Sequence, residues 1–485
     1  PAPHPWTCAV TRWRPRPSWC WALRRLRLVS GAGHDTNQQD TIAPAGMFFI
    51  ACRAERSRCP EEWADLAHWA AGVHALALAA FRLDQTQFHH REGDILMTIQ
   101  QSPVTQQLAE QLVAWRRHLH ANPELSFQEF ATSRFIQARL TEWGIPFTLP
   151  ADTSVVGVIE GNRPGLTVAV RADFDALPID EQNDFAFRST QPGVMHACGH
   201  DGHTANLLGL AQLLSANRDF PGRVKLLFQA AEEQPPGGAI GLVKAGVLDD
   251  VDHVIGLHLM SDQPVGNAYI SAGPVSANSD RFTCTIHGRG GHGAMPHTTV
   301  DALLVAAETV AALQAIVSRR IAPTKAAVVT VGAFHAGAAP NVIANEATFT
   351  GTVRTFDPAV QATVMVELER IIAGNCQAAG ATYQFDYRKG YPALVNHPSE
   401  SAVLAAAARA VLGAEHVHGQ EPMMGGEDFS YYTQVKPGAY LWLGAGNAAK
   451  GITAAHHHPR FTVDEDALPQ GLAILHGATL ALLGA

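Results

Sequence analysis

Four short apolar runs, SVVGVIE (154–160), LTVAVRA (166–172), RVKLLFQ (223–229) and HVIGLHL (253–259), punctuate the middle of the chain. Helix-patterned sequence fills the longer gaps between them. TANLLGLAQLLSAN sets Leu207, Leu210, Leu213 and Leu214 at helical spacing, and AIGLVKAGVL (239–248) reads as a second helix. Strands that alternate with helices imply a largely parallel sheet with helices on its faces. Two helices, over about 104–119 and 129–143, precede the pattern. It resumes near the end with a helix over 400–412 and the strand AYLWLGAG (439–446). Between 279 and 394 the order changes to β-α-β-β-α-β, that of a ferredoxin-like split unit. The expected fold class is mixed α/β, with catalytic parts at 97–278 and 395–485 and an inserted α+β satellite at 279–394.

Composition marks another boundary. Residues 1–96 hold four of the seven Cys, six of the nine Trp and eleven Arg, but no Lys. They begin with Pro and carry no signal-peptide pattern, so they read as an N-terminal extension outside the functional fold. From Met97 on there are 24 Lys and Arg against 35 Asp and Glu, a net charge of −11. That acidity, without a dense basic block, argues against nucleic acid or an anionic membrane as partner. The nearest apolar run to a span, LAHWAAGVHALALAAF at 66–81, is too short. Seven cysteines without paired spacing argue against a disulfide framework and for a reducing, cytoplasmic setting.

In open α/β sheets, chemistry gathers beyond the carboxyl ends of the strands. After LTVAV comes Arg171-Ala-Asp173-Phe-Asp175, and after RVKLLFQ come Glu232 and Glu233. HVIGL leads to His258, AYLWLGAG leads to His456-His457-His458, and HACGHDGH (196–203) occupies another connection. One such histidine is more often core than ligand. Metal-type groups at five connections are hard to explain as packing. Cys198 and His200 are two apart, so an extended segment would point both side chains the same way. Thiolate, imidazole and carboxylate together suit Zn²⁺ or a neighbouring divalent ion. A redox role for Cys198 is weaker, because no second Cys stands at C-x-x-C spacing. Of the adjacent Glu232 and Glu233, one can bind metal while the other handles protons.

RADFDALPI, MHACGHDGHTANLLG, FQAAEE, GLHL, GRGGHGAMPH, GTVRTF, GGEDFS and HHPRF follow one another from Arg171 to Phe461, within a stretch of resemblance that runs from about Met97 to the C-terminus. In that order they resemble the M20 peptidase-family amidohydrolases, in the subgroup of hippurate, N-acyl-amino-acid and auxin-conjugate hydrolases. Residues 1–96 have no counterpart. The resemblance implies a two-metal centre held by Cys198, His200, Glu233, His258 and His457, with a one-residue register ambiguity among His456, His457 and His458. It implies Glu232 as general acid/base and His292 near the scissile amide. Asp173 and Asp175 would orient ligands. Arg354 and Asn341 would grip the substrate carboxylate, a role that suits a planar guanidinium. Glu427 of GGED and His203 receive no role.

The implied activity is metal-dependent cleavage of an N-acyl amino acid, a small-molecule substrate, to a carboxylic acid and an amino acid. The ions would be Mn²⁺ or Zn²⁺, with Co²⁺ or Ni²⁺ also compatible, and a homodimer would form through the inserted unit. A metallo-dipeptidase or carboxypeptidase is the nearest alternative. A non-catalytic metal-binding protein would have no need of the proton shuttle at Glu232. A chain starting at Met97 is expected to fold and hydrolyse substrate like the full chain, as measured by thermal melting and turnover.

Overall fold

The structure is a computed structural model that describes residues 104–485. The extension expected over 1–96, and the boundary at Met97, lie outside the described residues.

The described residues open with the helix Gln106–Ala121, whose first turn is capped by Thr105, its hydroxyl accepting from the Leu108 N–H at 3.2 Å. Leu108, Leu112, Trp115 and Leu119 recur at three- and four-residue spacing, so one stripe is buried. The helix Phe130–Glu142 follows and ends before Gly144, whose φ of 64° suits glycine.

The larger sheet has eight strands among the described residues. Their order is Phe147–Thr148, Val155–Glu160, Pro221–Gln229, Arg163–Asp173, His253–Pro264, Gly438–Gly446, Ala268–Tyr269 and Val417–His418. The four central strands, from Pro221–Gln229 to Gly438–Gly446, run parallel. Val155–Glu160 and Ala268–Tyr269 pair antiparallel with this core on its two sides, and the outermost Val417–His418 runs parallel to Ala268–Tyr269. The parallel core expected from the apolar runs is therefore present. The two-residue strands at the rims escape sequence reading because they are too short to show alternation. Also unforeseen is the helix Ala467–Leu483, buried along most of its length against the helices Pro398–Leu412 and His200–Ala216. Gly471 permits that approach, since a Cβ there would sit 2.4 Å from Asn206 Nδ2.

A second sheet orders its strands Ala327–Ala336, Glu346–Thr355, Asp280–His287 and Thr382–Arg388, all antiparallel. Its elements follow a β-α-β-β-α-β sequence and close around a core of their own, which includes Phe282, Ile286, Val305, Phe349, Val364 and Leu368. The first helical stretch of this order, after Asp301, is two pieces, Ala302–Leu313 and Ala315–Arg319. The window Ala302–Arg319 is long and apolar enough to cross a membrane by length and composition, and 33% of it is buried. Ala302, Val305, Ala306, Thr309, Leu313 and Ile316 supply its buried face. The chain enters and leaves this region beside a two-stranded ribbon, Gly273–Ser276 with Leu394–Asn396.

The 22-residue helix Pro358–Ala379 shows the packing logic of that smaller core. Asp357 caps it, Pro358 starts it, and Gly380 at φ 71° ends it. Val360, Val364, Leu368, Ile372 and Cys376 form one buried stripe at a spacing of four. Leu368→Ala is expected to lower unfolding free energy by roughly 2–5 kcal/mol, the usual cost of emptying such a site, while bound metal stays unchanged. Denaturant melts beside metal analysis check this.

Candidate metal centre

The segment 196–203 is not extended. Gly199 adopts φ 100°, a left-handed turn that feeds straight into the helix His200–Ala216. The parity argument for Cys198 and His200 thus fails, yet the turn still brings both to one place. Ligand atoms of Cys198, His200 and His258 lie within 4.8 Å of one another. His258 also departs from expectation, because it sits inside the strand His253–Pro264 rather than beyond its end. Its Nδ1–H faces the Leu259 carbonyl at 2.9 Å, which leaves Nε2 toward Cys198 Sγ at 3.5 Å. Burial, with His203 and His456 nearby, holds His258 well below the usual imidazole pKa. A neutral imidazole is the form that can ligate.

The triple histidine separates by geometry. His457 has φ 62°, donates its N–H to the Ala197 carbonyl at 2.8 Å and sets Nε2 3.2 Å from Glu233 Oε1. His456 Nε2 instead meets the Leu259 carbonyl at 3.0 Å, and His458 Nδ1 accepts from the Arg460 N–H. Cys198, Glu233 and His457 form a second close group, and His200, Glu232 and Glu233 a third.

Aspartates orient this set. Asp175 accepts from His200 Nδ1 at 3.0 Å through one oxygen, and from Ser126 Oγ and the Glu233 N–H through the other. Asp173 accepts from His203 Nδ1 at 2.6 Å and lies 3.6 Å from His200 Nε2. Burial alone would lower the His200 pKa, but Asp173, Asp175 and Glu233 together push it up to about 10. His203 Nε2 accepts from the Leu259 N–H, so His203 is a neutral strut between two strands.

Behind them lies a fully buried arginine. Arg171 is 2.7 Å from Asp173 Oδ2, 2.7 Å from Asp428 Oδ1 and 3.1 Å from Glu427 Oε1. It also donates to Gln229 Oε1 and Tyr440 Oη, both at 2.9 Å. Arg171 and His200 Nε2 both face Asp173 Oδ2, while Oδ1 takes the hydrogen bond from His203, so the ion pair and the approach to His200 share one oxygen. Glu427, left without a role by the sequence, stands beside Glu232 and Asp428. Burial outweighs the attraction of Arg171 and moves Glu427 up to about 7. Glu232 is likewise raised well above the carboxylate range, by burial and then by Glu427 and Glu233.

The loop bearing Glu232 is gripped by residues the sequence did not single out. Ser154 Oγ accepts from the Ala230 N–H at 3.0 Å, and Glu129 from the Ala231 N–H at 2.9 Å. Ala231 is held at φ 54°, a costly conformation for alanine that needs such anchoring. These partners lie 76 and 102 residues away in the chain, with no local motif to announce them. His292, Asn341 and Arg354 are not part of these groups. His292 is exposed on the strand Gly291–His292, paired with Val342, its Nδ1 accepting from the Ala294 N–H. The Asn341 carbonyl accepts from the Gly293 N–H, which puts Asn341 next to His292. Arg354 is partly buried, with Nη1 3.5 Å from the Asn278 carbonyl.

The donor set suits a divalent cation. His200 Nε2 and Glu233 Oε1 are buried without a hydrogen-bond partner, although such atoms are nearly always satisfied. Burial and the neighbouring Glu233 and Glu232 hold the Cys198 thiol well above its usual pKa. Coordination reverses that, since a ligating thiol is deprotonated outright. Cys198→Ser and His457→Ala are each expected to lower metal content and turnover together, whereas His458→Ala keeps both. Metal analysis of the purified variants decides it.

Known proteins supply an independent test. The profile of "Peptidase family M20/M25/M40" matches residues 169–481. The N-acyl-L-amino acid amidohydrolase of Geobacillus stearothermophilus is 51% identical over 288 residues, 59% of this chain and 78% of the relative. Thermostable carboxypeptidase 2 of Saccharolobus solfataricus is 39% identical over 78% of this chain and 96% of its own length. Among solved structures, the Bacillus subtilis YXEP protein, described as a dinuclear metal binding peptidase from the M20 family, superposes with a TM-score of 0.70. It is 34% identical and covers 79% of this chain and all of its own. With motifs, parallel-sheet fold and clustered donors in agreement, the chain belongs to peptidase family M20/M25/M40 and is a hydrolase acting on amide bonds.

Proposed function

We propose that the protein hydrolyses the amide bond of N-acyl amino acids, releasing a carboxylic acid and a free amino acid. The observation that carries this reading is that two adjacent glutamates, which meet beside His200, otherwise keep different company. Glu233 keeps company with Cys198 and His457, while Glu232 faces Glu427 and Asp428. Cys198, His200, Glu233, His258 and His457 would hold two divalent ions, Mn²⁺ or Zn²⁺ by the mixed sulfur, nitrogen and oxygen donors, with Co²⁺ or Ni²⁺ also suited. Such ions would polarise the amide carbonyl and make water acidic enough to attack it near neutral pH. Glu232 takes the proton of the attacking water and returns it to the leaving nitrogen. Asp175 and Asp173 keep His200 aimed. His292 serves the developing oxyanion, and Arg354 and Asn341 serve the substrate carboxylate. The adjacency of His292 and Asn341 supports a shared substrate-facing surface.

The identity with a thermostable carboxypeptidase favours a second reading, release of a C-terminal residue from a peptide by the same centre. The unit 279–394 would act as lid and as homodimer contact. Its edge strand Ala327–Ala336 and the exposed Leu303, Leu304 and Phe334 support that role. Free Cys198, Cys284 and Cys376 support a reducing, cytoplasmic setting.

A panel of N-acyl amino acids and dipeptides, assayed with each metal, separates the two readings by kcat/KM. Glu232→Gln should keep metal while kcat falls by roughly 10²–10⁴, the usual contribution of a general acid–base group. Glu233→Gln should lose metal itself, with partial rescue by added metal. Equal metal loss in both variants would make both glutamates ligands and overturn the assignment.

A further inference from the structure

Three peptide N–H groups of the loop 230–233 are held by Ser154, just ahead of the strand Val155–Glu160, by Glu129, just ahead of the helix Phe130–Glu142, and by Asp175, just past the strand Arg163–Asp173. The carbonyl of Glu232 is held differently. It accepts a 2.6 Å hydrogen bond from Tyr391 Oη, 159 residues away. Tyr391 lies just past the strand Thr382–Arg388, where the chain leaves the smaller sheet. At that point the outgoing chain is fastened to the incoming one. The Ser279 N–H donates to the Tyr391 carbonyl at 3.1 Å, and the Tyr391 N–H donates to Ser279 Oγ at 2.9 Å. The Gly390 N–H donates to Asp280 Oδ1 at 3.0 Å. Gly390 must be glycine here, because a Cβ would fall 2.2 Å from the Ser279 carbonyl oxygen.

The tyrosine has little freedom. It is 5% exposed, its ring meets Tyr431 edge-on at 6.1 Å, and Gly237 leaves room for it, since a Cβ there would lie 3.0 Å from Tyr391 Cε1. Burial, with Asp428 and Glu232 close by, keeps its hydroxyl protonated and therefore a donor. The ring thus acts as a stiff arm between the double crossing of the chain and a single peptide group.

We infer that Tyr391 is a positioning residue which, through its hydroxyl on the Glu232 carbonyl, sets the aim of the base from the crossing between the two sheets. This rests on Glu232 as the proton-transfer group. A small displacement of such a group is costly to rate, and the link makes the aim of Glu232 depend on how the unit carrying His292, Asn341 and Arg354 is seated. Substrate contacts made by that unit would then be felt at the base without any direct contact.

The test uses the metal-loaded full chain as wild type, Tyr391→Phe, Glu232→Gln and the double variant. It reads kcat and KM for an N-acetyl amino acid, bound metal per chain and melting temperature. Tyr391→Phe keeps the ring and is expected to keep metal content and KM within about twofold, while kcat falls roughly tenfold, the rate equivalent of one hydrogen bond. In the Glu232→Gln background the same change should cost nothing further, because the group being aimed no longer works. Wild-type kcat in Tyr391→Phe overturns the inference. So does a tenfold loss that persists in the double variant, or a loss carried by KM, metal content or melting temperature, since a merely structural role would give those. Full kcat in Glu232→Gln alone overturns the base assignment, and the inference falls with it.

Discussion

The guanidinium of Arg171 is the interaction on which the centre rests. A buried cation is tolerated only when its charge and its donors are met, and removing one partner strands the rest. Arg171 meets both needs by reaching across strands. Its partners Asp173, Gln229 and Tyr440 come from three of the parallel strands, and Asp428 and Glu427 from a loop. Asp428 in turn accepts from Gln229 Nε2 and from the Ala239 N–H that opens the next helix. One charge therefore fixes the mutual register of strand ends at the depth where the ligands emerge, and holds Asp173 ready for His203 and His200.

The acidic groups show the same economy of position. Glu232, Glu427 and Asp428 are crowded in a dry place, and Asp428, like Glu427, sits above its usual range, at about 6, because burial outweighs its pairing with Arg171. Carboxylates with such different surroundings divide labour readily. Glu427 and Asp428 are tied to Arg171, and Glu232, which also borders His200 and Glu233, is the one proposed to carry the proton.

How much of this could be read in advance depends on the range of the interaction concerned. The parallel core was legible because each strand announces itself within eight residues, and the candidate donors Cys198, His200, Glu233 and His258 could be picked out because they sit in compact motifs. The choice among His456, His457 and His458 turns on a positive φ and a contact to Ala197, neither of which spacing can express. Gly199 likewise converts an apparent alternation into a turn. Glu129, Ser126 and Ser154 look like ordinary polar residues in the sequence, and only folding reveals the peptide groups and carboxylates they serve. His203 reads as a further ligand-type group, yet both ring nitrogens are spent on neighbours.

The strand Gly438–Gly446 lies between His253–Pro264 and Ala268–Tyr269, although about 170 residues separate it from them in the chain. On a ribosome the consequence is a fixed order of events. The smaller sheet, contiguous from 280 to 388, can close as soon as it emerges, because all its strands are by then available. The larger one must wait with an open edge on His253–Pro264, beside His258, until Gly438–Gly446 has been made. His457 is delivered later still. A nascent chain therefore holds an incomplete set of candidate donors until the segment after that strand has emerged, and a chain cut short of it never completes the set.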